Sequence, residues 1–496
     1  MPRLIVTLCC AFVALGSFLF GYDSSIIVSV IALPDFEEHI GHGKLSDEAT
    51  GGIVSAYTGG AIVGSLAVSF VADRYGRRMA IFVGSLLAAL GGALQGGAEN
   101  VATMVIGRFI AGFAIGMLSA TIPNYCSEVA PPSIRGLLGG MQQWMLGLGF
   151  VVAPWVGYGS SKATGPFSWR FPLSFQVLPA LILGAGIFSL PESPRWLLER
   201  EKFTEAQSTL ESLHLNKNRS NVDFVALEFK EIRDAILTEK AAISTVSWRM
   251  IFTNPPYRHR ILLACGIQAL TQTSGVNVIG YYGPRIYATL GFSVSTSLFI
   301  IGIYGAFAQL WNTVCLAIMD RVGRKKLLLP SMFGMGAALC VNATLAHYYN
   351  PETSTNQNAL RANVSMNFVF SVFFTSLGVI SWVYPAEIMS TATRARGTSL
   401  STVTNWSLNL LLAQCSPLAL SKMGYRYFYI FAALNWAGGI LIYFLYPETL
   451  GRTLEQLDEL FGDQRVPHAL KESTTGESVN DDPQWHTSVP GGKASV

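Results

Sequence analysis

The chain has 496 residues, 50% hydrophobic and 13% charged, with a net charge of +3. Soluble globular chains carry about 25% charged residues, so half that share excludes an ordinary water-soluble domain. The near-neutral balance points to no nucleic-acid partner, and seven cysteines that all sit in or beside apolar runs argue against a disulfide framework or a zinc site.

Runs long enough to cross a bilayer as helices, roughly 20 residues each, occur twelve times: approximately 4–31, 52–72, 79–98, 101–124, 137–158, 171–190, 261–289, 296–319, 326–347, 364–386, 398–421 and 427–446. The alternating segments of a membrane barrel are absent, and helices satisfy their own backbone in lipid. The expected class is therefore an all-α membrane protein.

Span 1 opens almost at Met1. Its apolar run continues past Gly21 into Tyr22 and Asp23 with no small-residue cleavage site, so it reads as a helix and not as a signal peptide. Asp23 is a charge inside a span, a placement that costs roughly 2.5–3.5 kcal/mol and marks a functional candidate. Arg108 in span 4 is the other. With span 1 running outward and span 4 inward, at 1.5 Å per residue, both lie about 10–12 Å below the outer surface and can pair. His39 and His42 fall in the loop after span 1 and read as solvated loop residues, with no metal site expected.

Asp73-Arg74-Tyr75-Gly76-Arg77-Arg78 follows span 2, and Asp320-Arg321-Val322-Gly323-Arg324-Lys325 follows span 8. Glu128 leads Arg135 by seven residues after span 4, as Glu387 leads Arg394 after span 10. Pro191-Glu192-Ser193 closes span 6, and Pro447-Glu448-Thr449 closes span 12. These pairs recur at offsets of 247, 259 and 256 residues. Such repetition implies duplication, with a binding site between the repeats. The expected units are a six-span half at 1–190, a polar linker at 191–260 with helical stretches such as 221–240, a second half at 261–446, and a tail at 447–496 disordered from about residue 463. The acidic residues of the motifs and their arginines suit ion pairs that latch one face of the bundle closed. Lys and Arg favour the loops on the linker's side, ten against seven in the short loops, which places both termini and the linker in the cytoplasm. A sequon, Asn363-Val364-Ser365, is expected in the outside loop before span 10 as a candidate for glycosylation.

The repeated D-R-x-G-R-[RK] loop resembles the major facilitator signature. Pro191-Glu192-Ser193-Pro194-Arg195-Trp196-Leu197 and Pro447-Glu448-Thr449 resemble the signatures that end helices 6 and 12 of sugar porters. Phe20-Gly21-Tyr22-Asp23 and Tyr384-Pro385-Ala386-Glu387 are similar to fungal-type members, and the likeness runs from about Gly16 to about Gly462. The resemblance implies a major facilitator fold of twelve transmembrane helices and a sugar bound by helices 5, 7, 10 and 11. Carried over by position, that site is Gln143, Gln272, Asn277, Trp382, Asn405 and Trp406. The chemistry agrees, because amides both donate to and accept from hydroxyls and a flat indole packs on the apolar face of a pyranose. Three positions depart from the pattern: Thr271 replaces a glutamine, Ala308 an asparagine and Phe150 a second helix 5 glutamine. Gln268, three residues before Thr271, is a possible substitute for the lost amide.

The resemblance also implies that Asp23 and Arg108 form a proton site, that Tyr281 and Tyr282 close an outer gate, and that Asp73, Arg74, Arg77, Glu128, Arg135, Asp320, Arg321, Arg324, Glu387 and Arg394 gate the cytoplasmic face. The expected function is sugar transport by alternating access with proton symport, by a monomer in the lipid bilayer of the plasma membrane, without cofactor and without enzyme activity. A facilitative carrier for a sugar, polyol or sugar acid and a non-transporting nutrient sensor are the alternatives.

Overall fold

The computed structural model describes residues 2–131, 134–214, 247–289, 291–349, 356–390 and 393–450, with short stretches of 225–237 and 457–462. Among the described residues there are twelve long helical stretches: α1 (Pro2–Val13, continued by Leu15–Ile31), α2 (Asp47–Tyr75), α3 (Arg77–Gly96), α4 (Val101–Val129), α5 (Arg135–Ser160), α6 (Phe167–Phe175 and Val177–Gly186, closed by the 3-10 turn Ile187–Ser189), α7 (Pro255–Gln272 and Val276–Thr289), α8 (Val294–Val322), α9 (Arg324–Tyr348), α10 (Gln357–Ile388), α11 (Arg394–Met423) and α12 (Arg426–Leu445). Nine of these are long and apolar enough to cross a membrane. The other three, α5, α7 and α11, carry Gln142 and Gln143, Gln268 to Ser274, and Asn405 and Asn409 in mid-helix. Polar residues at that depth face a protein or water interior, not lipid.

Three expected spans are interrupted, α6 at Gln176 between its two pieces. α1 is broken at Ala14, and α7 begins at Pro255, six residues before its apolar run, then breaks between Gln272 and Val276. The expected helical stretch at 221–240 lies mostly outside the described residues, and so does the tail from 463 onward. Short helices at Pro194–Glu199, Phe203–His214 and Trp248–Thr253 occupy the described parts of the linker.

Helix starts show how the chain satisfies its free backbone groups. At one end of the bundle α2, α4, α8 and α10 begin after Ser46, Asn100, Ser293 and Asn356, whose side chains accept from backbone N–H groups of the first turn. The opposite end, here the linker side, holds the turns from α2 to α3 and from α8 to α9. These pivot on Gly76 and Gly323, with φ of +99° and +105°, a conformation that disfavours any Cβ.

Helices α1 to α6 share buried clusters around Leu19, Ile81, Ile115, Leu118 and Leu183, and α7 to α12 share one around Ile267, Met332, Leu339, Phe370 and Phe431. α2 and α4 approach most closely where Gly60 and Gly64 face the backbone of Phe109 and Phe113, and Gly112 and Gly116 face that of Tyr57 and Ala61. Small residues four apart let two helices pack backbone to backbone in a membrane. The two groups meet along a seam of α2 with α11, α5 with α8, and α1 with the second piece of α7. Its contacts lie from mid-bundle toward the side away from the linker: Ser55 Oγ donates to Gln414 Oε1 (2.6 Å), Lys162 Nζ to Ser295 Oγ (2.6 Å), and Trp155 meets Phe299 edge-on.

Asn363 corrects the sequon reading. It lies inside α10, 2% exposed, and donates to the carbonyl of Asn342 (3.1 Å), whose Nδ2 bonds Asn367 Oδ1 (3.0 Å). This asparagine ladder lets the helix continue past the apolar run. Enzymatic deglycosylation is expected to leave the protein's gel mobility unchanged. Asn363→Leu is expected to lower the midpoint of thermal unfolding in detergent, since a lost buried hydrogen bond costs about 1–3 kcal/mol.

Candidate functional site

The break in α7 sets the centre of the site. Gln272 ends its first piece, Asn277 is the second residue of the second, and Asn277 Nδ2 donates to Gln272 Oε1 across the gap. Gln268 faces away from the gap: its Nε2 donates to the Ser381 carbonyl on α10 (2.9 Å), and its Oε1 accepts from Asn405 Nδ2 on α11 (2.6 Å). Gln268 therefore ties three helices together, and the hydroxyl of Thr271, where the resemblance leads one to expect a glutamine, bonds the Ile267 carbonyl (2.9 Å). Trp406 is buried against Phe20 of α1, ring centroids 5.8 Å apart, and so joins the two groups of helices at mid-depth.

Gln143 and Trp382 hold separate positions on α5 and α10. Gln143 is half-buried, Trp382 is 46% exposed, and no hydrogen bond ties either to another described residue. Phe150, at the lost helix 5 glutamine, is also exposed. Sequence reasoning missed Gln309, next to Ala308. Its Nε2 donates to the Trp144 carbonyl (3.1 Å) and its side chain fills the space beside Gly147 on the α5–α8 seam. On the second piece of α7, Tyr281 donates to Asn409 Oδ1 (3.2 Å) and Tyr282 to the Ala413 carbonyl (2.6 Å), so both lie on α11.

Asp23 and Arg108 form the pair that their depths implied. Arg108 Nη1 donates to Asp23 Oδ1 (2.8 Å) and to the Asp23 carbonyl (3.0 Å), with both residues 1% exposed. The guanidinium also lies 4.4 Å from the ring centroid of Tyr57 on α2, and Tyr57 bonds Ser24 (2.9 Å). A buried pair of this kind is stabilising only while both members remain, since removing one leaves an uncompensated charge costing about 3–5 kcal/mol. Tyr57 escaped the sequence reading because an aromatic residue in an apolar span carries no signal of its own.

On the linker side two arginine–glutamate pairs form within the groups of helices, one in each group. Arg77 makes a two-point contact with Glu128, Nε to Oε2 and Nη2 to Oε1 both 3.0 Å, joining α3 to α4. Arg324 Nη2 contacts Glu387 Oε1 at 2.8 Å, joining α9 to α10. Asp73 is exposed and 3.9 Å from Arg77. Arg74 lies over Phe70 and Tyr75, Arg321 is exposed, and Arg394 reaches the Met389 carbonyl (3.5 Å). The side chains of Arg135 and Asp320 lie outside the described residues.

Two further carboxylates, at positions the repeat marked, complete these corners. Glu192 accepts from the backbone N–H groups of Arg77 (3.1 Å) and Arg78 (3.3 Å), and Glu448 from those of Arg324 (2.9 Å) and Lys325 (3.0 Å). Each caps the start of a helix, where N–H groups and the helix dipole favour an anion. Burial pushes the Glu192 carboxyl above its usual value against those N–H bonds. Burial also opposes ionisation of Glu448, but the N–H groups of Leu450, Arg324, Lys325 and Thr449 outweigh it and hold its carboxyl low. On the opposite side, His39 is not simply a solvated loop residue: it contacts Glu99 (3.1 Å) and Arg170 (3.1 Å), and Arg170 with His39 holds the Glu99 carboxyl low.

A family model described as "Sugar (and other) transporter" matches residues 9–461. The chain belongs to this sugar transporter family. Among the similar relatives is the MFS-type transporter criB of Aspergillus cristatus, 35% identical over 96% of this chain and 98% of the relative. The MFS glucose transporter mfs1 of Aspergillus flavus is 32% identical over 91% of this chain and 89% of its own. The inward-open conformation of the xylose transporter XylE from E. coli superposes with a TM-score of 0.75 at 22% identity, covering 92% of this chain and 99% of that one. Together with the helices described, this establishes a multi-pass integral membrane protein with the major facilitator fold, a transporter-family member and not an enzyme.

Within this sugar transporter fold Glu448 generates a pH test. Its carboxyl is held below the ordinary 4.5, so its contribution to stability is full above that value and is lost as pH falls through the lower folded value. Thermal unfolding in detergent is expected to show wild type above Glu448→Gln at about pH 7, with the gap closing toward about pH 4.

Proposed function

We propose that the chain carries a hexose or related sugar by alternating access, in symport with protons. The buried Asp23–Arg108 pair carries the proton part of the reading. An ionised Asp23 is held by Arg108, and a change in helix packing that draws the two apart leaves a carboxylate in a poorly solvating site, where it takes a proton. Tyr57 offers a route by which that event reaches the rest of the molecule, because it touches Arg108 and belongs to α2, which forms half of the seam with α11.

Alternating access is supported by the position of the seam. The contacts described between the two groups of helices lie away from the linker side. If the excess of Lys and Arg on the linker side marks the cytoplasm, this is an inward-facing arrangement with both termini cytoplasmic. The moving units are then residues 1–190 and 261–446, joined by 191–260, in a monomer of the plasma membrane. Tyr281 and Tyr282, bonded to α11, form the outer gate in its closed position. The pairs Arg77–Glu128 and Arg324–Glu387 brace the cytoplasmic corner of each half as a rigid body. Sugar recognition is assigned to Gln143, Gln272, Asn277, Trp382, Asn405 and Trp406, and the glucose transporter among the relatives agrees with that class.

In proteoliposomes, a panel of radiolabelled sugars tested with and without an inwardly directed proton gradient is expected to give uptake that the gradient drives uphill. Asp23→Asn is expected to abolish accumulation while sugar exchange persists; accumulation undiminished in this variant rejects the proton role. Gln272→Ala is expected to raise the KM for the transported sugar by roughly tenfold or more, as a site built for hydroxyls loses a partner.

A further inference from the structure

The break in α7 exposes backbone groups in the middle of a membrane protein, where unpaired ones are costly. Most are satisfied locally. The Thr273 N–H donates to Ala269 (2.9 Å), the Ser274 hydroxyl donates to Thr271 (2.7 Å), and the N–H groups of Val278 and Ile279 return to the Gly275 carbonyl (3.1 and 3.3 Å). The chain turns at Gly275 with φ +95°, close against Phe431. The Ser274 carbonyl takes its bond from another helix. Asn435 of α12, 0% exposed, donates Nδ2 to it at 2.9 Å while also bonding the Phe431 carbonyl at 2.9 Å. Asn435 Oδ1, equally buried, has no partner among the described residues.

We propose that Asn435 is the positioning residue of the broken helix: it clamps the Ser274 carbonyl, fixes Gln272 and Asn277 against each other, and acts as the pivot on which Val276–Thr289 carries Tyr281 and Tyr282. The site and gate roles of those four residues rest on the transport reading above; the clamp itself rests on the geometry of α7 and α12. An amide suits the task because it donates and accepts at once. Nδ2 holds the carbonyl in the present conformation, and the free Oδ1 is placed to receive a backbone N–H released at 273–276 when the outer piece tilts.

The test uses full-length protein in proteoliposomes with a reporter at Gly280→Cys, an exposed position on the moving piece with nothing within 4 Å of an added Cβ, in a Cys415→Ser background. Asn435→Leu keeps the branched shape, in a somewhat larger side chain, and removes both hydrogen-bonding functions. It is expected to change the rate of maleimide labelling at the reporter by at least about threefold, and to lower Vmax/KM for the transported sugar by at least about tenfold. Asn435→His, whose Nδ1 stands near the position of the Asn Nδ2, is expected to recover most of both. Labelling and kinetics unchanged in Asn435→Leu overturn the proposal, and so does a His variant no better than Leu. Should Asn435→Leu fail to fold, Asn435→Ser compared with Asn435→His decides by the same readouts. Wild type that takes up no sugar defeats the transport reading alone, because reporter labelling without substrate still decides the clamp.

Discussion

A peptide group released inside a membrane has no water to turn to, and much of this structure follows from that constraint. α7 is broken between Gln272 and Val276, and a break there persists only if each freed carbonyl and N–H finds a partner. Hydroxyls of Thr273 and Ser274 supply some of these, and Asn435 supplies one from a neighbouring helix. The same constraint at helix starts is met by Ser and Asn on one side and by Glu192 and Glu448 on the other. A carboxylate works on the linker side because two N–H groups converge on it at a turn only glycine accepts. Glu192 and Glu448 thereby fix the starts of α3 and α9 to the chain that follows α6 and α12.

Strength is distributed unevenly between the pieces and the seam. Inside a group, α2 and α4 touch backbone to backbone through glycines, and α3 and α4 share a two-point arginine–glutamate contact. Between the groups lie single hydrogen bonds such as Ser55–Gln414 and edge contacts such as Trp155–Phe299. A two-point charged contact is roughly twice as strong per bond as a neutral one.

The sequence carried the architecture through features that physics makes periodic or repeated. Apolar runs announced the spans, the motif offsets announced the duplication, and the depths of Asp23 and Arg108 announced a pair that the structure forms at 2.8 Å. What stayed hidden depends on contacts between distant segments. Nothing in Asn435 or Tyr57 alone distinguishes a clamp or a cation partner from a packing residue. The α7 break needed Gly275 to be read together with Phe431 and Asn435. The sequon at Asn363 misled because hydropathy ends a span where apolar residues end, whereas this helix continues on a ladder of asparagines. The partners of Gln268 stayed hidden because Ser381 and Asn405, which engage both ends of its amide, are distant in sequence.

That engagement bears on specificity. Gln272 satisfies Asn277, and Gln268 satisfies Asn405, so the amides of α7 and α11 are paired with one another. A hydroxyl entering the site exchanges one good hydrogen bond for another, and the net gain per bond is about 0.5–1.5 kcal/mol. Affinity gained this way is modest, which suits a carrier that must also release its cargo. Discrimination is larger than affinity, because a ligand that separates an amide pair without replacing both bonds leaves a buried polar group unmatched at about 1–3 kcal/mol. Thr271, Ala308 and Phe150 reduce the number of such groups. Gln143 and Trp382 differ from the paired amides in that no hydrogen bond ties either to another described residue.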